Sequence, residues 1–455
     1  MIELSQFIRF EGSGLASAVM MPIMVFILAV LLKAPKMQAF RSAIWLGAGF
    51  IGVGLILNLL WAGLSTAGAN FSSLTGLQRD VVDVGWPAAA AIGFSSFTGL
   101  WGIPMALGLN ILLIKLKLTR TLNVDIWNFW HFAFVGTLIT QASGNVMMGL
   151  VSMGLAIVFC LHMADRTAKK TQGFYGIDGI SVPHLASVQI WPIAWIVNGI
   201  IERIPGLRSI NWNADGLVKF LGPIVQPMSI GLILGGGFAL CGLVSGASDG
   251  LPLISLILQI MVLVAGILLL PRMAQILMEG LAPLAEAARD LAEKQSEQQD
   301  AARPLQVGLD SAILTGHPAI LAAAFLLVPI GLILSVILPF NRVILFTDLA
   351  VLPFVIALAA PLVNGNVFRL TIIGTIMLAM GFYFGTDLAG VFADAAKSNG
   401  FGGDNNSGLT AIVDGFLWPV WAAVRVVSYY GWLGMAVMAG LIGLSMLQFH
   451  FKKED

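Results

Sequence analysis

The sequence predicts an all-α polytopic membrane protein. Of its 455 residues, 58% are hydrophobic and 11% are charged, whereas about 25% of the residues of an ordinary soluble domain are charged. The mean hydropathy is +0.90, and the stretch from Phe132 to Met163 contains no Asp, Glu, Lys or Arg. Each crossing helix needs about 20 apolar residues, so we expect about ten to eleven transmembrane helices in this chain.

Uncharged runs of spanning length divide the chain. Gly14–Leu32 ends at Lys33 without a small-residue cleavage site, so it is interpreted as a retained span and not as a removed signal peptide. Val343–Val363 contains a single charge, Asp348, and Leu185–Ile201 is a shorter candidate. The other runs are Ser42–Leu64, Ala91–Ile114, Phe132–Met163, Pro223–Ser248, Leu251–Leu270, Ala319–Phe340, Leu370–Thr386 and Gly431–Phe449.

Basic clusters predict the orientation of these runs. The clusters Lys33–Arg41 and Lys115–Arg120 are two crossings apart, so the positive-inside rule places both in the cytoplasm and the N-terminus outside. A third cluster, Arg166–Lys170, follows the run Phe132–Met163. Two interpretations remain open: the polar residues of 141–145 break this run into a segment that enters and returns, or one long tilted helix departs from the rule.

Three segments are expected to lie at the membrane edge. Arg272–Arg303 has apolar residues at helical spacing beside charged ones, which predicts an amphipathic cytoplasmic helix. It could dock a soluble partner, although a plain interfacial helix is the preferred interpretation. Asp394–Ser407 is predicted to be a polar loop. Val413–Tyr430 is predicted to be an interfacial helix that carries an aromatic belt.

Composition also excludes several classes of function. The net charge is zero and no basic patch appears, so a nucleic-acid partner is not expected. Cys160 and Cys241 lie inside apolar runs, which argues against a disulfide, a cysteine metal site or a low-pKa nucleophile. The chain has no phosphate-binding loop of the Walker type, and its histidine spacing matches no haem ligation motif. We therefore expect no cofactor and no metal.

Polar side chains concentrate in five short segments within this apolar chain. A carboxylate at the middle of a bilayer costs about 2.5–3.5 kcal/mol or more, so such residues mark a site unless they cap helices or lie at headgroup level. Carboxylates and amides hydrogen-bond hydroxyl groups, and Trp rings cover the C–H faces of a sugar or polyol. The candidate substrate-binding residues are Asp83, Trp86, Asp125, Asn128, His131, Asp310 and Asp348.

A weak internal similarity links two of these segments. Gly176 to His184 and Gly308 to Pro318 both contain Gly-x-Asp, a short apolar stretch, and a His beside a Pro. Repeated halves around a midplane site are common in transporters. If the two segments are symmetry-related hairpin tips, His184 and His317 should approach the same substrate, one as proton acceptor and the other as an orienting group.

At these segments the chain resembles the galactitol-specific enzyme IIC components of the bacterial phosphoenolpyruvate-dependent phosphotransferase system, within the ascorbate/galactitol superfamily. The similarity extends in order over nearly the whole chain. Residues at 88–91 and Pro318 depart from the family pattern and leave the particular polyol open. The matching stretches are Val81–Pro87 (VVDVGWP), Asn123–His131 (NVDIWNFWH), Gly179–His184 (GISVPH), Ile201–Gly206 (IERIPG), Gly308–Pro318 (GLDSAILTGHP) and Asn366–Arg369 (NVFR).

The resemblance implies a homodimeric inner-membrane permease with an inverted repeat, a scaffold and a mobile core that moves like an elevator. It implies one IIC domain over residues 1–455 without a fused IIA or IIB domain, surrounded by membrane lipid. A separate IIB protein would carry the phosphocysteine, with IIA upstream, so the chain would be the transporter subunit of a phosphotransferase complex. The site residues that it implies are Asp83, His131, His184, Asp310 and His317.

The implied mechanism is in-line transfer of a phosphoryl group from the IIB cysteine to a terminal hydroxyl of a galactitol-like polyol. His184 and His317 are the candidate catalytic residues, because a nearby imidazole can accept the hydroxyl proton. The alternative is an uncoupled or ion-coupled secondary polyol transporter that shares the fold.

Overall fold

The computed structural model describes residues 15–212, 214–224, 226–244, 252–296, 305–401 and 408–451, and most of them are helical. The helical membrane-protein class is therefore confirmed, whereas a total of ten to eleven crossings stays a prediction. Six described helices are long and apolar enough to span a membrane: Lys36–Ile56, Val146–Tyr175, Ile260–Ala287, Pro318–Ile337, Val367–Ser398 and Ile412–Phe449. The shorter apolar helices are Val19–Leu31, Gly102–Lys115, Leu185–Ile201, Gly231–Cys241 and Asp348–Leu362.

The first part of the chain, up to residue 224, alternates helices with three very short strands. A 3₁₀ turn at Ile126–Phe129 leads into the helix that carries His131. The elements are α1 (Leu15–Leu31), α2 (Lys36–Thr75), β1 (Val81–Asp83), α3 (Trp86–Ser95), α4 (Phe97–Leu100), α5 (Gly102–Lys115), β2 (Thr121–Asn123), α6 (Trp130–Ser143), α7 (Val146–Tyr175), β3 (Ile180–Ser181), α8 (Leu185–Val188), α9 (Ile190–Ile201), α10 (Pro205–Arg208) and α11 (Ala214–Leu221).

The second part repeats this alternation. Short 3₁₀ turns at Ser311–Leu314, Asp348–Val351 and Ala357–Leu362 follow its strands. The elements are α12 (Pro227–Val244), α13 (Pro252–Ser296), β4 (Gln306–Gly308), α14 (Pro318–Ile337), β5 (Val343–Ile344), α15 (Leu352–Ile356), α16 (Val367–Ser398), β6 (Gly408–Thr410) and α17 (Trp418–Phe451). Between β6 and α17 the chain makes a tight turn at Ile412–Gly415.

Two predicted segment boundaries were wrong. The amphipathic segment does not begin a separate helix at Arg272, because α13 continues unbroken from Pro252 to Ser296. Its apolar face packs on α2: a Cβ at Gly49 would lie 2.7 Å from Leu277. The apolar positions therefore contact this chain itself. The predicted loop at 394–407 also starts too early, since α16 extends to Ser398. Residues 297–303 and 402–407 of these two segments lie outside the described residues.

The run Phe132–Met163 does break and return. α6 ends at Gly144, which adopts a left-handed φ of 65°, and the Asn145 side chain accepts a hydrogen bond from Met148 N to cap α7. The two helices pack closely, since a Cβ at Gly149 would lie 2.6 Å from Gly136 O. Of the two interpretations left open by the sequence, the broken segment is the one that the structure contains. Its position relative to a bilayer stays a prediction.

The structure also contains two three-stranded parallel sheets, which the prediction of an all-α protein did not anticipate. Their strands provide hydrogen-bond partners for backbone that is not helical inside an apolar protein. The first sheet has the order β5-β1-β6, and the second has the order β2-β4-β3. In each sheet the middle strand comes from one part of the chain and both flanking strands come from the other. Exchanging β1 with β4, β2 with β5, and β3 with β6 converts one strand order into the other.

The sequence similarity between 176–184 and 308–318 does not coincide with the pairing of these strands. β3 and β4 are adjacent and parallel, and Ser181 pairs with Gly308. This register sets His184 opposite Ser311, whereas the sequence similarity would set Gly176 opposite Gly308. Asp178 is exposed. The exchange of strands relates β4 to β1 and β3 to β6, so the two Gly-x-Asp motifs do not lie at equivalent positions in the two parts of the chain.

Candidate functional site

The carboxyl ends of the six strands carry the ionisable side chains of the candidate site. Parallel strands that start and end together direct the residues that follow them to one edge of the sheet. Each strand ends in, or is followed within four residues by, an ionisable group. These groups are Asp83, Asp348 and Asp414 after β1, β5 and β6, and Asp125, His184 and Asp310 after β2, β3 and β4.

A hydrogen-bonded series of three side chains joins the ends of the two sheets. Asp414 Oδ2 lies 3.0 Å from His131 Nδ1, and His131 Nε2 lies 3.1 Å from His184 Nε2. Asp414 has no exposed surface, and the two histidines are almost completely buried. Since a carboxylate only accepts, Nδ1 of His131 carries the proton in this arrangement, and one proton lies between the two Nε2 atoms.

His184 makes two further contacts through its other ring nitrogen. Its Nδ1 lies 2.8 Å from Ser187 Oγ and 3.1 Å from Ser311 Oγ. The Ser187 hydroxyl also lies 2.7 Å from the carbonyl of Phe354, to which it can donate. If Ser187 donates to Phe354, His184 Nδ1–H donates to Ser187, and the two imidazole rings then share one positive charge. If Ser311 donates to Nδ1 instead, both rings are neutral, so the cluster accommodates both protonation states of the histidine pair.

Acidic and amide groups lie beside the histidine pair. Asn128 Nδ2 donates to Asp125 Oδ2 at 2.6 Å, and Asp310 Oδ1 accepts from Ala312 N at 3.0 Å. Burial and then the negative charge of Asp310 raise the pKa of Asp125 to about 8. Burial acts against ionisation of Asp310, but the nearby His184 and the hydrogen bond from Ala312 outweigh it and lower its pKa. At neutral pH this arrangement holds one protonated and one ionised carboxyl.

Aromatic rings adjoin these acidic groups. Trp86, which begins α3 after the first sheet, meets Trp127 edge to face with ring centroids 6.0 Å apart. Phe94 also contacts Trp127, with ring centroids 6.3 Å apart. The two tryptophans, Asp125 and Asp310 are only partly buried, in contrast to the histidines. The accessible part of the cluster therefore combines carboxyl groups with indole rings.

Asp83 and Asp348 occupy a different setting. Asp83 Oδ2 accepts hydrogen bonds from Phe346 N and Asp348 N, both at 3.0 Å. Asp348 Oδ1 accepts from Trp86 N at 2.7 Å. Both side chains have no exposed surface. Their oxygens hold together the loops that follow the strands of the first sheet, and a substrate-binding role for either residue stays a prediction.

His317 lies apart from the histidine pair. Its Nδ1 accepts a hydrogen bond from Ala319 N at 3.2 Å and so caps α14. Its ring packs against Phe174 and Tyr175, with centroids 4.9 Å and 5.7 Å away. The structure thus brings together Asp125, Asn128, His131, His184 and Asp310, but gives His317 other neighbours.

The sequence reasoning missed Asp414. Its segment was interpreted as an interfacial aromatic helix, yet Asp414 lies in a turn before that helix with a φ of 73°, a conformation that is uncommon for any residue but glycine. A usable signal was present, because Asp414 is the one charged residue between Gly408 and Val424. The cost of a buried carboxylate, applied to this segment, predicts a site.

Two motifs of the family pattern meet away from this cluster. Arg369, almost fully buried, forms an ion pair with Glu202, and its Nη1 donates to Asn198 Oδ1 at 2.7 Å. Asn366 donates to the carbonyl of Ile210 at 2.8 Å. The contacts join the start of α16 to α9 and the loop after α10, so these motifs have a packing role in the structure.

Helices of spanning length around a buried cluster of histidine and carboxyl groups define this protein as a polytopic membrane protein with an internal polar site. Comparison with known families identifies the class: residues 14–440 match the PTS system sugar-specific permease component family, EIIC-GAT. The chain belongs to this family. It is therefore an enzyme IIC subunit of a sugar phosphotransferase system, whose coupling to a IIB protein the family implies, and an inner membrane protein.

Individual relatives agree with this assignment. The chain is 32% identical to the PTS system galactitol-specific EIIC component of Escherichia coli (strain K12) over 416 residues, which cover 91% of this chain and 89% of the relative. The protein of the same name from Escherichia coli O157:H7 gives the same values. A further relative from strain K12, provisionally named a permease IIC component without a substrate, is 32% identical over 443 residues, 97% of this chain and 98% of the relative.

Proposed function

We propose that this chain binds a galactitol-like polyol where the two sheets meet and delivers it into the cell as a phosphate ester. The observation that supports this proposal most directly is the buried series from Asp414 through His131 to His184, beside partly accessible carboxyl groups. Such a site combines a proton-accepting group with hydrogen-bond partners for hydroxyl groups, and phosphorylation of a polyol requires both.

The neighbouring carboxyl groups suit a polyol because they differ in protonation. Asp125, with its raised pKa, donates a hydrogen bond at neutral pH, whereas the ionised Asp310 accepts one. Adjacent hydroxyls of a polyol each donate and accept, so one pair of hydroxyls can satisfy both carboxyls. Asn128 adds an amide, and the rings of Trp86 and Trp127 cover C–H faces.

In the proposed reaction a terminal hydroxyl oxygen of the polyol attacks the phosphorus of the IIB phosphocysteine. The new P–O bond forms as the P–S bond breaks, and the cysteine leaves as a thiolate. The hydroxyl proton passes through the Ser311 hydroxyl to Nδ1 of His184, which Asp414 and His131 orient. The imidazole then returns this proton to solvent. His317 stays a second candidate for the proton acceptor, but its contacts with Phe174 and Ala319 favour His184.

We further propose that the chain works as a homodimer of inverted repeats, with the N-terminus outside and a mobile core that moves like an elevator. The exchange symmetry of the two strand orders supports the repeat, with β1 to β3 in one half and β4 to β6 in the other. Inverted repeats commonly hold substrate at their interface. The polar cluster where the strand ends meet fits that arrangement.

The proposal is tested in lipid vesicles that contain the purified chain. Radiolabelled galactitol is added outside, and IIB that is kept phosphorylated by its upstream proteins is enclosed inside. The labelled product in the lumen is separated by anion exchange, and phosphorylated galactitol should account for it. A IIB variant without its phosphorylated cysteine serves as the control and should yield no phosphorylated product.

The alternative, an uncoupled or ion-coupled transporter, predicts a different outcome. Vesicles without IIB would accumulate unmodified galactitol, and an imposed proton or sodium gradient would drive this accumulation in the ion-coupled case. That result would overturn the proposed coupling. If galactitol yields neither product while another polyol is phosphorylated, the coupling stands and the proposed substrate is wrong.

A further inference from the structure

A cavity of ≈ 350 Å³ lies between α6, α7 and α17, beside the histidine cluster. Its walls are mostly apolar and include Phe159 on α7 and Val426 and Met438 on the two limbs of α17, which bends at Gly431. Ser152, at one end of the α7 wall, is 3% exposed, and its hydroxyl has no hydrogen-bond partner among the described residues. The lining at this end of the cavity is therefore apolar apart from the Ser152 hydroxyl.

The other end of the cavity is polar and basic. His162 Nε2 lies 2.9 Å from Ser445 Oγ, and both residues line the cavity. Arg166, one turn further along α7, is exposed and donates to the same Ser445 hydroxyl at 3.1 Å. Lys169 and Lys170 follow, also exposed. Positive charge thus collects at one end of an otherwise apolar space.

We propose that this cavity holds an acyl chain of an anionic lipid, with the headgroup at Arg166. Ser152 and His162 are ten residues apart on α7, which corresponds to about 15 Å of helix, so the lining is long enough for much of an extended chain. Basic residues that adjoin spaces between transmembrane helices bind anionic headgroups. A lipid satisfies both ends, because it supplies an apolar chain and a negative charge.

This lipid site is coupled to the histidine cluster through the cavity walls. Val135 is one helical turn after His131, and Leu185 directly follows His184. Trp418, four residues after Asp414, also lines the cavity, and its Nε1 donates to Gln189 O at 2.9 Å. The segments that carry His131, His184 and Asp414 thus all border the cavity. A bound chain should restrict their movement, although the binding test below does not depend on the proposed function.

Quenching of tryptophan fluorescence by lipids with brominated acyl chains tests the site in the purified, delipidated chain. Brominated phosphatidylglycerol should quench the wild-type protein at about fivefold lower concentration than brominated phosphatidylcholine, as expected for one basic residue near an anionic headgroup. Trp418→Phe should remove this component of the quenching. Arg166→Gln should abolish the preference for phosphatidylglycerol, whereas Lys115→Gln, a lysine at the end of α5, should retain it.

A second variant tests occupancy directly. Ala156→Trp introduces a large side chain into the cavity and should reduce retention of phosphatidylglycerol in native mass spectrometry, whereas Ile333→Trp, on the exposed face of α14, should not. Ala156→Leu is the milder variant if Ala156→Trp does not fold. Equal quenching by both lipids, with no effect of Arg166→Gln, would overturn the proposal. So would a change in oligomeric mass in Ala156→Trp with lipid retention unchanged, because a second copy of the chain would then cover the cavity.

Discussion

Replacing Asp414 by Asn tests the histidine series at its most buried point. Asp414 Oδ2 accepts a hydrogen bond from His131 Nδ1 at 3.0 Å, and the side chain has no exposed surface. Asn has nearly the same shape without the charge. It also tolerates the φ of 73° at this position, because Asn is among the residues that adopt left-handed conformations most readily. The substitution therefore changes the charge and leaves the backbone conformation possible.

The expected magnitude follows from replacing a charged acceptor by a neutral one, because Asn Oδ1 still accepts a hydrogen bond from His131 Nδ1. A hydrogen bond to a charged group contributes about 1.5–3 kcal/mol and one between neutral groups about 0.5–1.5 kcal/mol, a difference of about 1–1.5 kcal/mol. Since 1.36 kcal/mol corresponds to a tenfold change in rate, we expect Asp414→Asn to lower the turnover of polyol phosphorylation by about 5- to 13-fold. The affinity for the polyol should change by less than about threefold, because Asp414 acts through His131 and does not reach the accessible carboxyl groups.

The assay combines phosphorylation kinetics with saturating phosphorylated IIB, equilibrium binding of radiolabelled polyol, and a thermal unfolding scan. Asp387→Asn is a matched control, because Asp387 is half-exposed and forms an ion pair with Arg425 on a neighbouring helix. Ion pairs of that kind contribute only about 0–1 kcal/mol. If Asp414→Asn keeps wild-type turnover at unchanged thermal stability, Asp414 does not orient the histidines for catalysis and the reasoning fails.

Four further substitutions separate packing from function. Gly149→Ala should destabilise the contact of α6 with α7 by about 1–3 kcal/mol, because the new Cβ would lie 2.0 Å from Thr140 Oγ1. The measurement is thermal unfolding, and the control is Gly173→Ala, where the new Cβ meets nothing within 4 Å. Asp83→Asn should lower the melting temperature, because it weakens the acceptor for three backbone N–H groups. Asp310→Asn should instead weaken polyol binding at unchanged stability. The opposite pattern would contradict both assignments. Burial and the charge of Asp310 raise the pKa of Asp125 to about 8. The folded state therefore keeps a proton that the unfolded chain releases near pH 4, and stability should fall as pH rises from about 4 to 8. Asp125→Asn should flatten this profile; an unchanged profile would assign the pH dependence to other groups.

The helices could be predicted from the sequence because an uncharged apolar run is sufficient to indicate a span. The break at Gly144 was also readable, since polar residues interrupt the run beside a glycine and a capping Asn145. The strands could not be predicted. They are two or three residues long, too short for a period-2 pattern, and Val81 finds its partner at Val343, far along the chain. Only the folded helices bring such segments together.

The sequence predicted which residues form the candidate site better than it predicted how they are arranged. The cost of burying an ionisable group indicated His131, His184 and Asp310, which the structure places together. The same cost cannot distinguish a carboxylate that binds substrate from one that accepts backbone N–H groups, and Asp83 makes the second kind of contact. That difference depends on which loops pack beside the carboxylate in the folded protein, and no local sequence pattern indicates it.

The contacts between the two sheets restrict how the proposed elevator movement could occur. Asp414, after β6, hydrogen-bonds to His131, after β2, so a buried hydrogen bond joins the two sheets directly. Breaking it costs about 1–3 kcal/mol, because it leaves a buried polar group without a partner. The loops of β1, β5 and β6 are in turn held together by Asp83 and Asp348. Both sheets should therefore move as one body. The surface along which this body slides during transport should lie outside the sheets, on the side where α2 packs on α13.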